Sequence, residues 1–259
     1  MKFFDTHAHC DDRRFEEEYE GGTRGVITDC LNDNVSYIIN IGTNLENSRV
    51  STELADNFEN VYAACGIHPS DVFYSDPDQA ISVIEELLKH PKAVALGEIG
   101  LDYHYEDVPQ DLQMIYFEKQ MRLAEKLQIP VIIHDRDAHG DCLEMIKKFP
   151  SVKGVFHSFS GSAEMATELV KLGWYISFSG TVTFKNAKKP KEAARVVPSD
   201  RLLIETDAPY LAPTPHRGEL NRSSYVQLTA EEIAQLRGVS TEEIMKITEE
   251  NAKRLFGIK

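Results

Sequence analysis

One pattern recurs along the chain: a short apolar run, then a stretch with helical spacing. The runs are FFDTHAH (3–9), YIINIG (37–42), VYAACGIHP (61–69), AVALGEIGLD (93–102), PVIIHDR (130–136), GVFHSFSG (154–161), YISFSG (175–180) and LLIETDAP (202–209). Several are nearly continuous in Val, Ile and Leu, as expected of parallel strands buried on both faces. If His9, Gly42, His68, Glu98, His134, His157, Gly180 and Asp207 close the strands, they are spaced 23 to 36 residues apart. Eight βα units of about 30 residues predict a TIM (β/α)8 barrel. A doubly wound open sheet is the alternative, but no G-x-G-x-x-G follows the first run and no P-loop is present. No linker or break in composition divides the chain, so residues 1–259 are expected to form a single domain.

Helical signals fill the intervals. Asp76-Pro77 supplies a cap and a first-turn proline ahead of Ile81, Ile84 and Leu88. Leu112, Ile115, Tyr116, Leu123 and Leu127 predict the apolar face of the longest helix, and Ser240 with Glu243 a capping box. Residues 210–224 read as a long loop after the last strand.

Composition removes several classes of function. No stretch approaches the roughly 18 to 20 apolar residues of a membrane span, and the first segment, MKFFDTHAH, lacks the apolar core of a signal peptide. The four cysteines form no CxxC, which suits reduced thiols and a cytoplasmic protein. A net charge of −14 argues against a wide basic surface that coats nucleic acid. A phosphate site lined by cations stays compatible with it. No obligate protein partner is implied.

Six of the eight strand ends carry His, Glu or Asp, and in a barrel those ends converge on the active site. Residues i and i+2 of a strand face one side, so His7 and His9 can face one ion. With Glu98, His134, His157 and Asp207 they give four imidazoles and two carboxylates, enough for two divalent ions sharing one carboxylate. Zn²⁺, Mn²⁺ and Mg²⁺ are the candidates, and the imidazole count favours a borderline metal. Taken singly, each of these residues is more often surface decoration or a bonded core group than a ligand. Their recurrence at one position of a repeating unit is what accident does not explain.

Other candidates surround the six. Glu205 shares the last strand with Asp207 at i+2 spacing and can reach the same pocket, or else be a buried partner of an arginine. His68 in GIHP is a substrate contact or a loop cap. Arg136, Arg217 and the stretch FKNAKKPK (184–191) are candidates for phosphate contacts. Lys188, Lys189 and Lys191 read better as a solvated helix start, with Lys185 the exception. His90, His104 and His139 read as surface, and His216 stands beside Arg217.

DTHAH, GIHP, GEIGLDY, PVIIHDR, HSFSG and ETDAP, in this order and spacing, resemble the TatD family of metal-dependent deoxyribonucleases in the amidohydrolase-like superfamily. The resemblance spans almost the whole chain. It implies a TIM barrel with a binuclear centre in which His7, His9, Glu98 and Asp207 hold one ion, Glu98, His134 and His157 hold the other, and Glu98 bridges. It also implies a part in activity for Glu205. The family's final loop commonly reads PHRGKRNEP, whereas this chain has PHRGELNRSS, with Glu219 in place of a basic residue and Arg222 where a glutamate is usual.

The expected activity is hydrolysis of DNA phosphodiesters, from the 3′ end of single strands, by metal-activated water. Asp207 and Glu205 would orient that water, and Arg217 and Arg136 would stabilise phosphoryl charge. Two alternatives stand beside it. The same centre could open an amide, ester or lactone. A non-catalytic metal- or nucleotide-binding protein is the other, disfavoured because Glu98, Glu205 and Asp207 are all present.

Overall fold

The structure, a computed structural model, describes residues 2–259 except Tyr74, Ser75 and Glu106. In chain order the elements are β1 (Phe3–Ala8), α1 (Arg13–Glu18), α2 (Gly22–Asn32), β2 (Val35–Ile41), α3 (Leu45–Asn57), β3 (Val61–Cys65), α4 (Pro77–Leu87) and β4 (Ala93–Asp102). Then follow α5 (Gln110–Leu127), β5 (Val131–Arg136), α6 (His139–Lys148), β6 (Gly154–Phe156), α7 (Ala163–Lys171), β7 (Tyr175–Phe178), α8 (Lys188–Val196), β8 (Leu202–Ile204), α9 (Val226–Arg237) and α10 (Thr241–Phe256). The strands follow one another through the sheet in the order β1 to β8, and Ala8 is bridged in parallel to Ala208 just beyond β8. Strands in chain order, each followed by helix, are the (β/α)8 topology predicted from the repeat.

The chain groups into two compact units. The first runs to Asn40 and resumes over His157–Lys171 and Tyr175–Lys259; the second comprises Ile41–Phe156 and Leu172–Trp174. In the first, β1 pairs with β2 and β7 with β8, both parallel. Every residue of β1 is buried, as are Leu202, Leu203 and Ile204 of β8. In the second, β3, β4, β5 and β6 pair in sequence, all parallel. Val131, Ile132 and Ile133 of β5 are fully buried there, which accounts for their unbroken apolar run.

Local chemistry sets the helix starts. The Asp76 carboxylate accepts from the N–H groups of Asp78 and Gln79, with Pro77 in the first turn. The Ser240 hydroxyl accepts from the Glu243 N–H. On α5 the buried face is displaced from the one predicted. Ile115 is 46% and Leu127 37% exposed, whereas Gln113, Tyr116, Phe117, Gln120, Met121 and Leu123 are buried. The two glutamines are inside because each satisfies backbone. Gln113 bonds the N–H and C=O of Asp102, and Gln120 bonds those of Ile67. Both therefore clamp strand-end segments.

Several strands are shorter than their apolar runs. β8 stops at Ile204 and β3 at Cys65, so Glu205, Asp207 and His68 stand in the turns beyond them. Asp207, with φ of 59°, and Ser158, with φ of 39°, are left-handed, so the pleat is lost there. The lysines at 188 and 189 begin α8 and are exposed, and Lys191 pairs with Glu232 at 2.8 Å. No helix among the described residues is long and apolar enough to cross a membrane.

Candidate metal centre

In the first unit the site begins with a buried carboxylate. Asp5 on β1 accepts from the Thr206 N–H (2.9 Å), the Thr206 hydroxyl (2.5 Å) and the His7 N–H (3.3 Å). It thereby ties β1 to the turn after β8. The Asp207 N–H donates to the His7 carbonyl, and the His9 N–H to the Ala208 carbonyl. Asn221, from the long final loop, braces the same turn by donating to the Thr206 and Tyr210 carbonyls.

These bonds bring His7, His9 and Asp207 together. The two Nε2 atoms are 3.3 Å apart, and Asp207 Oδ1 lies 3.6 Å from the first and 3.4 Å from the second. Around a tetrahedral ion with bonds of about 2.0 to 2.2 Å, neighbouring ligand atoms stand about 3.3 to 3.6 Å apart. The three donors fit a divalent ion in spacing as well as in type. Burial pushes the Asp207 carboxyl up, but the hydrogen bond from His9 and the charges of His7, His157 and His9 outweigh it and hold the group below its ordinary range. It is thus an anion ready to ligate.

His157 stacks on His7, ring centres 4.1 Å apart. Its Nδ1 is 3.2 Å from Glu205 Oε1, which also accepts from the Ser158 N–H at 2.7 Å. The left-handed turn at Ser158 aims that N–H. A carboxylate on Nδ1 fixes the tautomer and leaves the lone pair on Nε2 for a metal. Glu205, 1% exposed, is therefore a holder of His157. The i+2 prediction placed it with Asp207 on one strand face; since β8 ends before both, that reason for its position does not hold.

In the second unit Glu98 lies on β4 and His134 on β5. His134 Nδ1 is 2.7 Å from Glu98 Oε1, and its Nε2 is 3.0 Å from Asp102 Oδ2. With Asp102 accepting from Nε2, the Nδ1 lone pair is left on the Glu98 side. Burial raises the Asp102 carboxyl, yet the His134 hydrogen bond and charge, the His104 N–H and Arg136 together hold it below its ordinary range. Gly100, between Glu98 and Asp102, has φ of 140°, and a Cβ there would meet the His134 carbonyl oxygen at 2.0 Å. Only glycine allows β4 and β5 to approach at this point.

His68, Glu98 and His134 offer ligand atoms within 4.8 Å of one another. Yet His68 Nδ1 accepts from the Ser70 N–H, which places the proton of a neutral ring on Nε2, 3.6 Å from Glu98 Oε1. His68 is thus the cap of the turn that follows it, one of the two readings the sequence left open, with Nε2–H as a donor on its other side.

The cationic candidates stand on aromatic rings. Arg217 lies 4.1 Å from the centre of the Phe184 ring, and Arg136 lies 5.2 Å from that of Tyr105. Glu219 accepts from His216 at 2.8 Å, and Arg222 packs over Tyr225 at 4.8 Å. The atypical loop residues are therefore engaged locally. Sequence reasoning passed over Asp102, Asp5 and the clamping glutamines. The signal for Asp102 was its even spacing from Glu98 on one long strand, which turns both toward the same side.

The model of the TatD related DNase family matches residues 4–257. The chain is 44% identical over 257 residues to an uncharacterized metal-dependent hydrolase, YabD, of Bacillus subtilis, covering 98% of this chain and 99% of that one. It is 38% identical to another, YcfH of Escherichia coli, covering 100% and 97%. Among solved structures, that of YjjV, a TatD homolog from Escherichia coli, matches with a TM-score of 0.91 at 31% identity, covering 99% of this chain and 98% of that one.

Proposed function

The chain belongs to the TatD-related DNase family and is a metal-dependent hydrolase, and from that premise we propose that it cleaves DNA phosphodiesters, removing nucleotides from the 3′ end of single strands. His7, His9, Asp207 and Glu98 would hold one divalent ion, and Glu98, His134 and His157 a second, with Glu98 shared. Zn²⁺, Mn²⁺ or Mg²⁺ is the ion, with the imidazole-rich set favouring the first two. Bound there, the ions supply Lewis acidity toward phosphoryl oxygen and lower the pKa of water so that hydroxide is available near neutral pH.

The protein's own groups have separate tasks in this reading. Asp207, held ionised, orients the attacking water and can accept its proton. Glu205 keeps the His157 ring turned with Nε2 outward. The His68 Nε2–H donates to a phosphoryl oxygen, and Arg217 and Arg136 offset charge as it develops there. Four buried free thiols suit a reducing cytoplasm, where we place the protein.

The supporting observation is the mutual spacing of His7 Nε2, His9 Nε2 and Asp207 Oδ1. The test is an assay of metal-loaded protein on end-labelled linear single strands, sealed circles, RNA, and a panel of amides and lactones. Shortening of linear DNA from the 3′ end, sparing of circles, and loss of cleavage in a folded Glu98→Ala variant are expected. Turnover of lactones or amides without strand cleavage would move the attack to carbon and overturn the reading.

A further inference from the structure

Seven large apolar or aromatic side chains are conspicuously exposed among the described residues, and four of them, Phe73, Tyr105, Tyr210 and Leu211, stand in the segments that follow strands β3, β4 and β8. The two tyrosines share a construction. Tyr210 is 45% exposed, and the Arg14 guanidinium lies over its ring, 4.3 Å from the centre. Tyr105 is 50% exposed, with the Arg136 guanidinium 5.2 Å from its ring centre. In each case an arginine from one strand-end segment backs a tyrosine from another.

The Tyr210 ring is held with unusual care for an exposed group. Its hydroxyl donates to Asp12 at 2.5 Å, and Asp12 also caps α1 and accepts from the Arg14 side chain. Its N–H donates to the Asp207 carbonyl, and its carbonyl accepts from Asn221. The next residue, Leu211, is left-handed at φ 53° while 37% exposed. A turn that leaves Tyr210 and Leu211 this exposed, one of them with a left-handed backbone, carries a structural cost. The place explains it: Tyr210 is three residues beyond Asp207, and its ring is 6.0 Å from that of His9.

Charge supplies the second half of the argument. With 42 acidic and 28 basic residues, the chain gains little from tracking a phosphate backbone with cations. Stacking of bases on aromatic faces is independent of net charge and tolerant of sequence. An arginine behind the ring adds to the platform without needing a phosphate. The base of a nucleotide stands one sugar away from its phosphate, so a phosphate at His7, His9 and Asp207 brings a base to Tyr210.

We propose that Tyr210 backed by Arg14 is a stacking platform for an unpaired base of a single strand whose phosphate is held at His7, His9 and Asp207. The proposal rests on the phosphodiesterase reading above and names a residue that selects single strands: paired bases have no free face to offer.

The test uses metal-loaded full-length protein and oligothymidylates in which an abasic nucleotide replaces the first, second or third residue from the 3′ end. Wild type is expected to show a KM raised about 5- to 150-fold at one or two of these positions. In Tyr210→Ala the penalty at one position collapses to below about 2-fold. Tyr210→Phe keeps the ring, loses only the bond to Asp12, and retains the penalty. Circular dichroism melts and metal content show that each variant is folded and loaded.

A parallel stopped-flow experiment reads stacking without turnover, following the quenching of 2-aminopurine placed at the same positions. Cleavage with no abasic penalty and no quenching overturns the platform and leaves the phosphodiesterase reading standing. Tyrosine-dependent quenching without cleavage overturns that reading and keeps the platform. Penalties and quenching that persist in Tyr210→Ala also overturn the platform.

Discussion

His134 lies between two carboxylates that serve it differently. Glu98 faces Nδ1 at 2.7 Å and is a candidate ligand itself, whereas Asp102 faces Nε2 at 3.0 Å and has the His104 N–H as its other partner. Asp102 can only fix the ring and raise the basicity of Nδ1. Asp102→Ala is therefore expected to weaken binding of the ion proposed at His134 by about 10- to 100-fold while the ion proposed at His7 and His9 is held as before. Calorimetric titration of apoprotein with Zn²⁺ or Mn²⁺ checks this: both sites unaltered, or both lost, would contradict it. The HxH pair was legible in the sequence because a strand's two-residue period is fixed by backbone geometry; although β1 ends at Ala8, the His9 N–H bonded to the Ala208 carbonyl carries the extended course one residue further, and the two Nε2 atoms meet at 3.3 Å. The same rule misled for Glu205 and Asp207. Three residues past the end of β8, a left-handed Asp207 aims its carboxylate by turn geometry that no periodicity encodes.

Among the elements, β3 shows how much a strand's apolar run reveals and where it stops. VYAAC is buried apart from the half-buried Tyr62, as its composition predicts, yet GIHP beyond it is not strand. Gln120, 53 residues away on α5, holds Ile67 by both backbone groups. A glutamine that substitutes for a missing strand partner leaves no local pattern, and so the α5 face was assigned from its aliphatic residues instead. Cys65, the last residue of β3, is fully buried, and burial raises its thiol from 9.0 to about 12. Between those values the unfolded chain loses a proton that the folded one keeps. This contribution to stability is therefore complete below pH 9 and is lost as pH rises toward 12. The unfolding free energy is expected to fall above pH 9 by up to about 1.4 kcal/mol per pH unit for this thiol. Urea midpoints at intervals from pH 8 to 10.5 measure it, with Cys65→Ala giving a shallower decline; equal slopes in the two proteins would refute the assignment.

Across the whole molecule, the (β/α)8 order was legible because each βα unit carries its own apolar run, and the candidate site because six of those runs close on His, Glu or Asp. The proposed means of holding substrate was less legible, since arginines set on aromatic rings are scattered through loops with no shared spacing. In that proposal the rings distinguish two ways of binding a strand. A basic groove displaces many counterions, and its affinity falls steeply with salt; a metal centre with a stacking platform displaces few. The net charge of −14 and the local engagement of Arg222 and His216 leave Arg217 and Arg136 as the cations proposed to meet phosphate. Two such contacts on a single strand imply a slope of log K against log salt of about −1.4. Anisotropy titrations of a fluorescent oligothymidylate between 50 and 300 mM salt, begun at the shortest mixing times, are expected to give that shallow slope. A slope steeper than about −4 would require five or more neutralised phosphates, more than these two arginines can supply, and would place the binding surface elsewhere on the molecule.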